Sequence, residues 1–181
     1  MEDNYKNKAP RTIQHAMQYG LWIGLLFILE TIFSSRQSSA MSLMTYFVQA
    51  LVLIQSYRYA KDFRDTETGG KISFFQVFAY VLNLFFFASL IGALFQVVYY
   101  KYINPTYLST MLEQVRPVLD QMLSKNSDYA EMSSKLDTIF SAEQMAMYGM
   151  AGKCFIGMVL GLIYAPFIKR NTEETQNSDN Q

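Results

Sequence analysis

The apolar residues of this chain gather into four long segments that carry almost no charge. No Asp, Glu, Lys or Arg occurs between Lys71 and Lys101, and none occurs between Arg36 and Arg58. A helix needs about 20 mostly apolar residues to cross the hydrocarbon core of a membrane. The pattern therefore predicts four membrane spans, at residues 13–34, 40–57, 74–99 and 146–168.

A soluble four-helix bundle is the alternative to membrane spans. Each helix of such a bundle would keep a polar face along its whole length. The third segment, residues 74–99, has only Gln76, Asn83, Ser89 and Gln96 as strongly polar side chains. Because this segment is apolar on all sides, we favour an all-α, integral membrane four-helix bundle.

A more polar stretch, residues 104–144, separates the third and fourth segments. Asn104 followed by Pro105 is typical of a helix start, and Asp128 with Glu131 fits the start of a second helix. Apolar residues recur at helical spacing after Pro105, at Leu108, Met111, Leu112, Val115, Leu119 and Met122. The pattern predicts an amphipathic αα-hairpin at residues 105–124 and 128–143, which could pack on its own bundle, on lipid or on a partner.

Basic residues indicate the orientation, because Lys and Arg concentrate on the cytoplasmic side of a membrane. One side of the predicted bundle carries Lys6, Lys8, Arg11, Arg58, Lys61, Arg64, Lys71, Lys169 and Arg170. The other side carries Arg36, Lys101, Arg116, Lys125 and Lys135, spread more thinly. We expect both termini in the cytoplasm, with residues 1–12 as an arm and residues 171–181 as a disordered tail. The N-terminus lacks the features of a cleaved signal peptide.

Two ionisable residues lie inside the predicted spans, where charge is costly and often functional. Glu30 lies about one turn from the outer end of the first span, and Lys153 lies about two turns inside the fourth. Their similar depths predict an intramembrane ion pair. The competing interpretation is that each side chain reaches separately to the membrane surface.

Small residues repeat every four positions in two of the spans. They are Gly20 and Gly24 in the first span, and Gly149, Gly157 and Gly161 in the fourth. This spacing lets helices approach closely, so we expect the first and fourth spans to touch, or the fourth to self-associate. We expect Gln49, Asn83 and Gln96 to form hydrogen bonds between helices rather than a transport path.

Catalytic and cofactor signals are weak throughout the chain. The single Cys154 and the single His15 disfavour a multi-residue metal site or a triad. The zero net charge gives no electrostatic case for nucleic acid. We therefore expect no enzyme activity, no metal, no cofactor and no nucleic-acid partner, and we interpret Cys154 as a packing residue.

The sequence Gly69-Gly70-Lys71 has the ending of a phosphate-binding loop, but the rest of that motif is missing. The first glycine is absent, and Ile72 stands where Ser or Thr is required. We interpret the glycines as a turn, Lys71 as the last cytoplasmic charge, and Ser73 as the cap of the third span.

Three stretches resemble a known family when they are taken together. They are GGKISFFQVF before and into the third span, YYKYINPTYL after it, and the glycine-rich GKCFIGMVLGLIYAPFIKR of the fourth. The chain resembles, over residues 11–170, an uncharacterised family of four-span inner-membrane proteins of Bacteroidota, domain of unknown function 4199. The resemblance implies the fold and a bacterial inner-membrane location, and it brings no substrate, cofactor or catalytic residue.

Two functional hypotheses follow for this membrane protein. The first is a non-enzymatic accessory or interaction subunit, with lipid and either a second copy or another membrane protein as partners. The second is a small transporter or channel that forms its path by oligomerising around Lys153, Glu30 and Asn83. Few interior charges and no broken helices argue against the second.

Overall fold

The computed structural model describes residues 8–36, 38–123, 135–136 and 138–170. It contains the long helices α1 (Lys8–Ser34), α2 (Ser39–Glu67), α3 (Phe74–Val98), α4 (Thr106–Leu123) and α5 (Ala142–Ile168). A short π-helix, Tyr99–Ile103, follows α3 directly. No named strand occurs in the described part of the chain, where Ile72 and Arg170 form an isolated antiparallel bridge. The all-α prediction is therefore confirmed.

Four of these helices are long and apolar enough to cross a membrane, namely α1, α2, α3 and α5. Their outward faces carry large apolar side chains, which a soluble protein rarely exposes in continuous stripes. On α3 this stripe is Phe86, Leu90, Leu94 and Val98, each four residues apart and between 40% and 64% exposed. Lipid is the solvent that such a face requires, and the protein is an integral membrane four-helix bundle.

α2 and α5 extend beyond the predicted spans, because a helix can continue through charged residues outside the apolar segment. α2 continues past the apolar segment to Glu67 through the charged turns after Tyr57. α5 begins at Ala142 because Ser141 caps it, with its hydroxyl oxygen accepting from the Gln144 backbone N–H. The predicted Ser73 cap is confirmed, since Ser73 and Gln76 form a complete capping box at the start of α3.

α3 is the central helix of the bundle. It packs against α1 on one side and α5 on the other, while α2 packs mainly on α1. The most deeply buried side chains accordingly belong largely to α3, including Val77, Tyr80, Val81, Leu84, Phe85 and Ala88. Because α3 lies between α1 and α5, most contacts of these two helices are with α3.

The connections between the helices differ at the two ends of the bundle. At one end, the loop from Thr68 to Ser73 turns through Gly69 and Gly70, both at positive φ, before α3 begins. Ile72 then exchanges two backbone hydrogen bonds with Arg170, of 3.1 and 3.2 Å. We call this the clasp end. The other end, where α1 connects to α2 and where α4 lies, is the α4 end.

The predicted hairpin is described only in part. Its first helix corresponds to α4, which contacts the π-helix through stacked rings of Tyr107 and Tyr100. Of the second predicted helix, residues 135, 136, 138 and 139 are helical. Residues 124–134, which include the predicted cap Asp128, lie outside the described residues, as do residues 1–7 of the arm and the tail 171–181.

Candidate functional site

The two charged residues of the predicted ion pair meet inside the bundle. Lys153 Nζ of α5 lies 3.7 Å from Glu30 Oε2 of α1, with side chains 14% and 19% exposed. The other carboxylate oxygen, Oε1, accepts a hydrogen bond of 2.8 Å from Gln49 Nε2 of α2. Three helices therefore converge on one carboxylate, and we call Glu30, Gln49 and Lys153 the polar cluster.

Gly92 of α3 makes room for the lysine side chain. A Cβ at this buried position would lie 3.8 Å from Lys153 Nζ and 3.1 Å from Phe27 Cβ. The ammonium lies over the Phe27 ring, 4.6 Å from its centroid, in cation–π geometry. A larger residue at position 92 would therefore crowd Phe27, the ring over which the Lys153 ammonium lies. Sequence reasoning missed Gly92 because it lies outside the repeated glycine spacing.

The glycines predicted to pack helices all lie against α3. A Cβ on Gly20 would meet Phe87, and one on Gly24 would meet Ile91. On α5, Gly149 faces the side chain of Gln96, Gly157 faces Phe85, and Gly161 faces Phe78. Both glycine stripes face α3, which lies between α1 and α5. The first and fourth spans do touch, through the long side chains of Glu30, Phe27 and Lys153 and not through their glycines. Self-association of the fourth span stays a prediction.

The three polar residues expected to bond between helices behave differently. Gln49 and Gln96 do so, Gln96 Nε2 donating to Thr31 Oγ1 of α1 at 3.3 Å. Asn83 instead donates to the Ala79 carbonyl of its own helix at 2.7 Å, so that part of the expectation is wrong. The Gln96 Oε1 atom is buried without a hydrogen-bond partner in the described structure.

A cavity of about 260 Å³ adjoins the polar cluster between α2 and α5. Its polar wall is the cluster itself, and its apolar wall is Phe27, Val52, Leu53, Phe85 and Ile156. The direction of each helix gives the depth of the lining residues. The polar residues lie toward the α4 end, and the apolar residues lie deeper. The cavity is therefore amphiphilic, with its polar part toward the α4 end.

A second polar group, absent from the sequence predictions, lies near the clasp end. His15 Nδ1 lies 2.9 Å from the Tyr80 hydroxyl, and His15 Nε2 lies 3.5 Å from Asp62 Oδ2. The rings of Tyr19 and Phe63 pack against the imidazole, 4.3 and 5.4 Å from its centroid. These residues come from three helices, so no spacing along the chain could have grouped them.

An apolar layer separates the polar cluster from the histidine group. It consists of Ile23, Phe27, Leu84, Phe85 and Ala88, each no more than 4% exposed. Within the described residues, no three His, Cys, Asp or Glu side chains are grouped so as to hold a metal ion. Cys154 Sγ lies 3.2 Å from the buried Ser89 hydroxyl. The polar cluster and the histidine group thus lie at different depths in the bundle. Each can join helices and bind a polar ligand.

Comparison with known proteins yields a family and no activity. No curated protein matches the chain, and no solved structure does. A family model described as a protein of unknown function, DUF4199, matches residues 17–170, which include most of α1 and the whole of α2, α3, α4 and α5. The chain therefore belongs to the DUF4199 family.

Proposed function

We propose that the protein is a non-enzymatic accessory or interaction subunit of the bacterial inner membrane, with both termini in the cytoplasm. The observation that carries the proposal is the apolar layer between the two polar groups. Ile23, Leu84 and Phe85, each no more than 1% exposed, lie between the polar cluster and the histidine group, and an apolar layer of this kind is unfavourable for an ion path. Glu30 and Lys153 compensate each other's charge, and such polar contacts between helices stabilise a membrane bundle.

The α4 end supplies the surface for a partner. α4 packs mainly on the π-helix, and Lys101 of that segment is bonded to Glu143 of α5 at 2.9 Å. On α4, Leu108 of the apolar stripe is buried, whereas Val118, which lies outside that stripe, is 55% exposed. An amphipathic helix held at the membrane surface with an apolar residue exposed is suited to binding another protein. The distribution of basic residues supports an orientation with this surface outside the cytoplasm.

Site-specific photocrosslinking in native membranes tests this role. A photoreactive amino acid at Val118 should form a covalent adduct with a discrete protein. The matched control is Leu94, which is 64% exposed on the lipid-facing stripe of α3 and should yield lipid adducts. A Val118 variant that gives the same adducts as the Leu94 variant would contradict the proposal.

A transporter or channel formed by several copies is the second candidate, and the interior charges of the polar cluster favour it. Ion flux into vesicles containing the purified protein distinguishes the two functions. An interaction subunit should give the flux of protein-free vesicles, both with the native residue and with Lys153→Ala. Flux that requires Lys153 would favour the channel instead, and a strictly monomeric protein would exclude a shared pore.

A further inference from the structure

We propose that the cavity between α2 and α5 binds one phospholipid with a zwitterionic, primary-amine headgroup, whose chain occupies the apolar part while Glu30 and Lys153 bind its head. The inference does not rest on the interaction role, because it concerns a different part of the molecule. It follows from the shape, the polarity and the charge of the cavity.

The cavity is open to the bilayer at its side. Farther toward the clasp end, α2 and α5 are joined by the Tyr164 hydroxyl, which donates to the Leu53 carbonyl at 2.9 Å and lies 3.3 Å from the Ser56 hydroxyl. Arg64 adds a bond to the Ile168 carbonyl at 3.4 Å. Nearer the α4 end, Leu53 and Ile156 are 44% and 51% exposed on facing walls. A chain can therefore enter laterally between α2 and α5.

The order of polar and apolar walls matches the orientation of a lipid in one leaflet. Glu30 lies four residues before the end of α1 at Ser34, about 6 Å along the helix axis, and Lys153 lies eleven residues after the start of α5 at Ala142, about 16 Å along its axis. Phe27 and Ile156 lie about one turn deeper than Glu30 and Lys153. A lipid of the leaflet at the α4 end would thus place its head at the polar cluster and its chain against these apolar residues.

The charges of the cluster select the headgroup. The Lys153–Glu30 separation of 3.7 Å is longer than the roughly 2.7–2.9 Å of a direct charge-assisted hydrogen bond. Gln49 occupies Oε1 of the carboxylate, which leaves Oε2 to accept from a second donor. A purely anionic head would approach Glu30 unfavourably, and a cationic one would approach Lys153 unfavourably. A phosphate on Lys153 with an ammonium on Glu30 satisfies both charges.

Competition between two lipids of identical chains tests the headgroup without any variant. Phosphatidylethanolamine and phosphatidylglycerol are offered to the delipidated protein, and the bound lipid is counted by native mass spectrometry. We expect one phosphatidylethanolamine to bind per protomer. Its affinity should exceed that of phosphatidylglycerol about tenfold, because loss of one charged contact reduces affinity by about that factor. Equal binding of the two lipids would overturn the proposal.

Two tryptophan substitutions on α5 test the location. Ile156→Trp fills the cavity, whereas Ile163→Trp alters a residue of the same type, 50% exposed elsewhere on the helix. The first should lower retention of the lipid about tenfold, and the second should leave it unchanged. Equal retention by the two variants would exclude this cavity as the site.

Glu30→Gln tests the assignment of the two charges. The substitution preserves the shape of the side chain and leaves Lys153 as an uncompensated cation, so preference should shift from phosphatidylethanolamine to phosphatidylglycerol. Circular dichroism verifies that each variant remains helical. An unchanged preference in a folded Glu30→Gln protein would refute the role of the carboxylate and with it the proposal.

Discussion

The clasp end and the α4 end of the bundle are built from the same four membrane helices but are held together differently. At the clasp end, Phe63 and Tyr80 stack with their ring centroids 4.4 Å apart, and Tyr80 also bonds His15. α2 and α5 are joined there by Arg64 and Tyr164. The backbone clasp between α3 and the end of α5 completes this set of contacts.

Toward the α4 end, the helices are joined by a charged contact beside a cavity. Lys153 and Glu30 approach to 3.7 Å, and the space between α2 and α5 is open beside them. Hydrogen bonds between helices and stacked rings occur at this end too, such as Ser35 with Tyr99 and Tyr100 with Tyr107. The two ends therefore differ in the kind of contact that joins the helices, and we expect the fully buried aromatic group at Tyr80 to contribute more to stability than the charged pair.

The largest effect is expected at the clasp end, from Tyr80→Ala. Tyr80 is fully buried, and its removal eliminates the stacking on Phe63 and the bond to His15. We expect the free energy of unfolding to fall by about 3–5 kcal/mol. Detergent-induced unfolding in mixed micelles, followed by circular dichroism, measures it.

The control for this change is Tyr148→Ala on α5, where the side chain is 54% exposed. It should alter the free energy of unfolding by no more than about 0.5 kcal/mol. Similar losses for the two tyrosines would contradict the expected contribution of Tyr80 to stability.

An intermediate effect is expected from Gly157→Ala, at a position between the clasp end and the α4 end. A Cβ at Gly157 would overlap the side chain of Phe85, which also lines the cavity. Overpacking of this kind costs about 1–3 kcal/mol. Gly152→Ala is the matched substitution on the same helix, with no atom within 4 Å of the added Cβ.

Gly152→Ala should stabilise the helix by up to about 1 kcal/mol, because alanine is the better helix former. The same unfolding measurement, applied to both proteins, compares them. If the two alanine variants are equally stable, the close contact between α3 and α5 at Gly157 is not as described.

The smallest effect is expected at the polar cluster, from exchanging its charges. Glu30→Lys and Lys153→Glu should each destabilise the protein, and the double variant should recover part of the loss. The expected coupling free energy is about 0.6 kcal/mol, the average for polar contacts between membrane helices. A double-mutant cycle of unfolding free energies measures it.

The exposed pair of Lys101 and Glu143 is the control for the charge exchange. These side chains are 51% and 57% exposed, so exchanging their charges should leave the stability nearly unchanged. A double exchange of Glu30 and Lys153 that is no more stable than either single variant would show that this pair is not coupled.

Much of the fold could be predicted because bilayer thickness imposes long uncharged segments. The gap between Lys71 and Lys101 located α3, and Ser73 marked its first turn correctly. The same criterion missed the true end of α2, because charge marks where lipid ends and not where a helix ends. Residues after Tyr57 remain helical up to Glu67.

The candidate site was predictable in part, for a similar reason. Depth along a span can be counted from sequence, and equal depth pointed to Glu30 and Lys153. The helix against which a face packs cannot be counted in this way, so the sequence did not identify α3 as the neighbour of both glycine stripes. Gln49 was expected to bond between helices, but no local pattern identified Glu30 as its acceptor or Gly92 as a neighbour of Lys153.

The clasp between Ile72 and Arg170 has a consequence for how this chain can vary. Its two backbone bonds make a closed ring of everything from the start of α3 to the end of α5. Backbone bonds do not depend on side-chain identity, so substitution of the side chains at Ile72 and Arg170 leaves both bonds available. The alignment of α3 and α5 is thus set in part at the end of the bundle opposite α4.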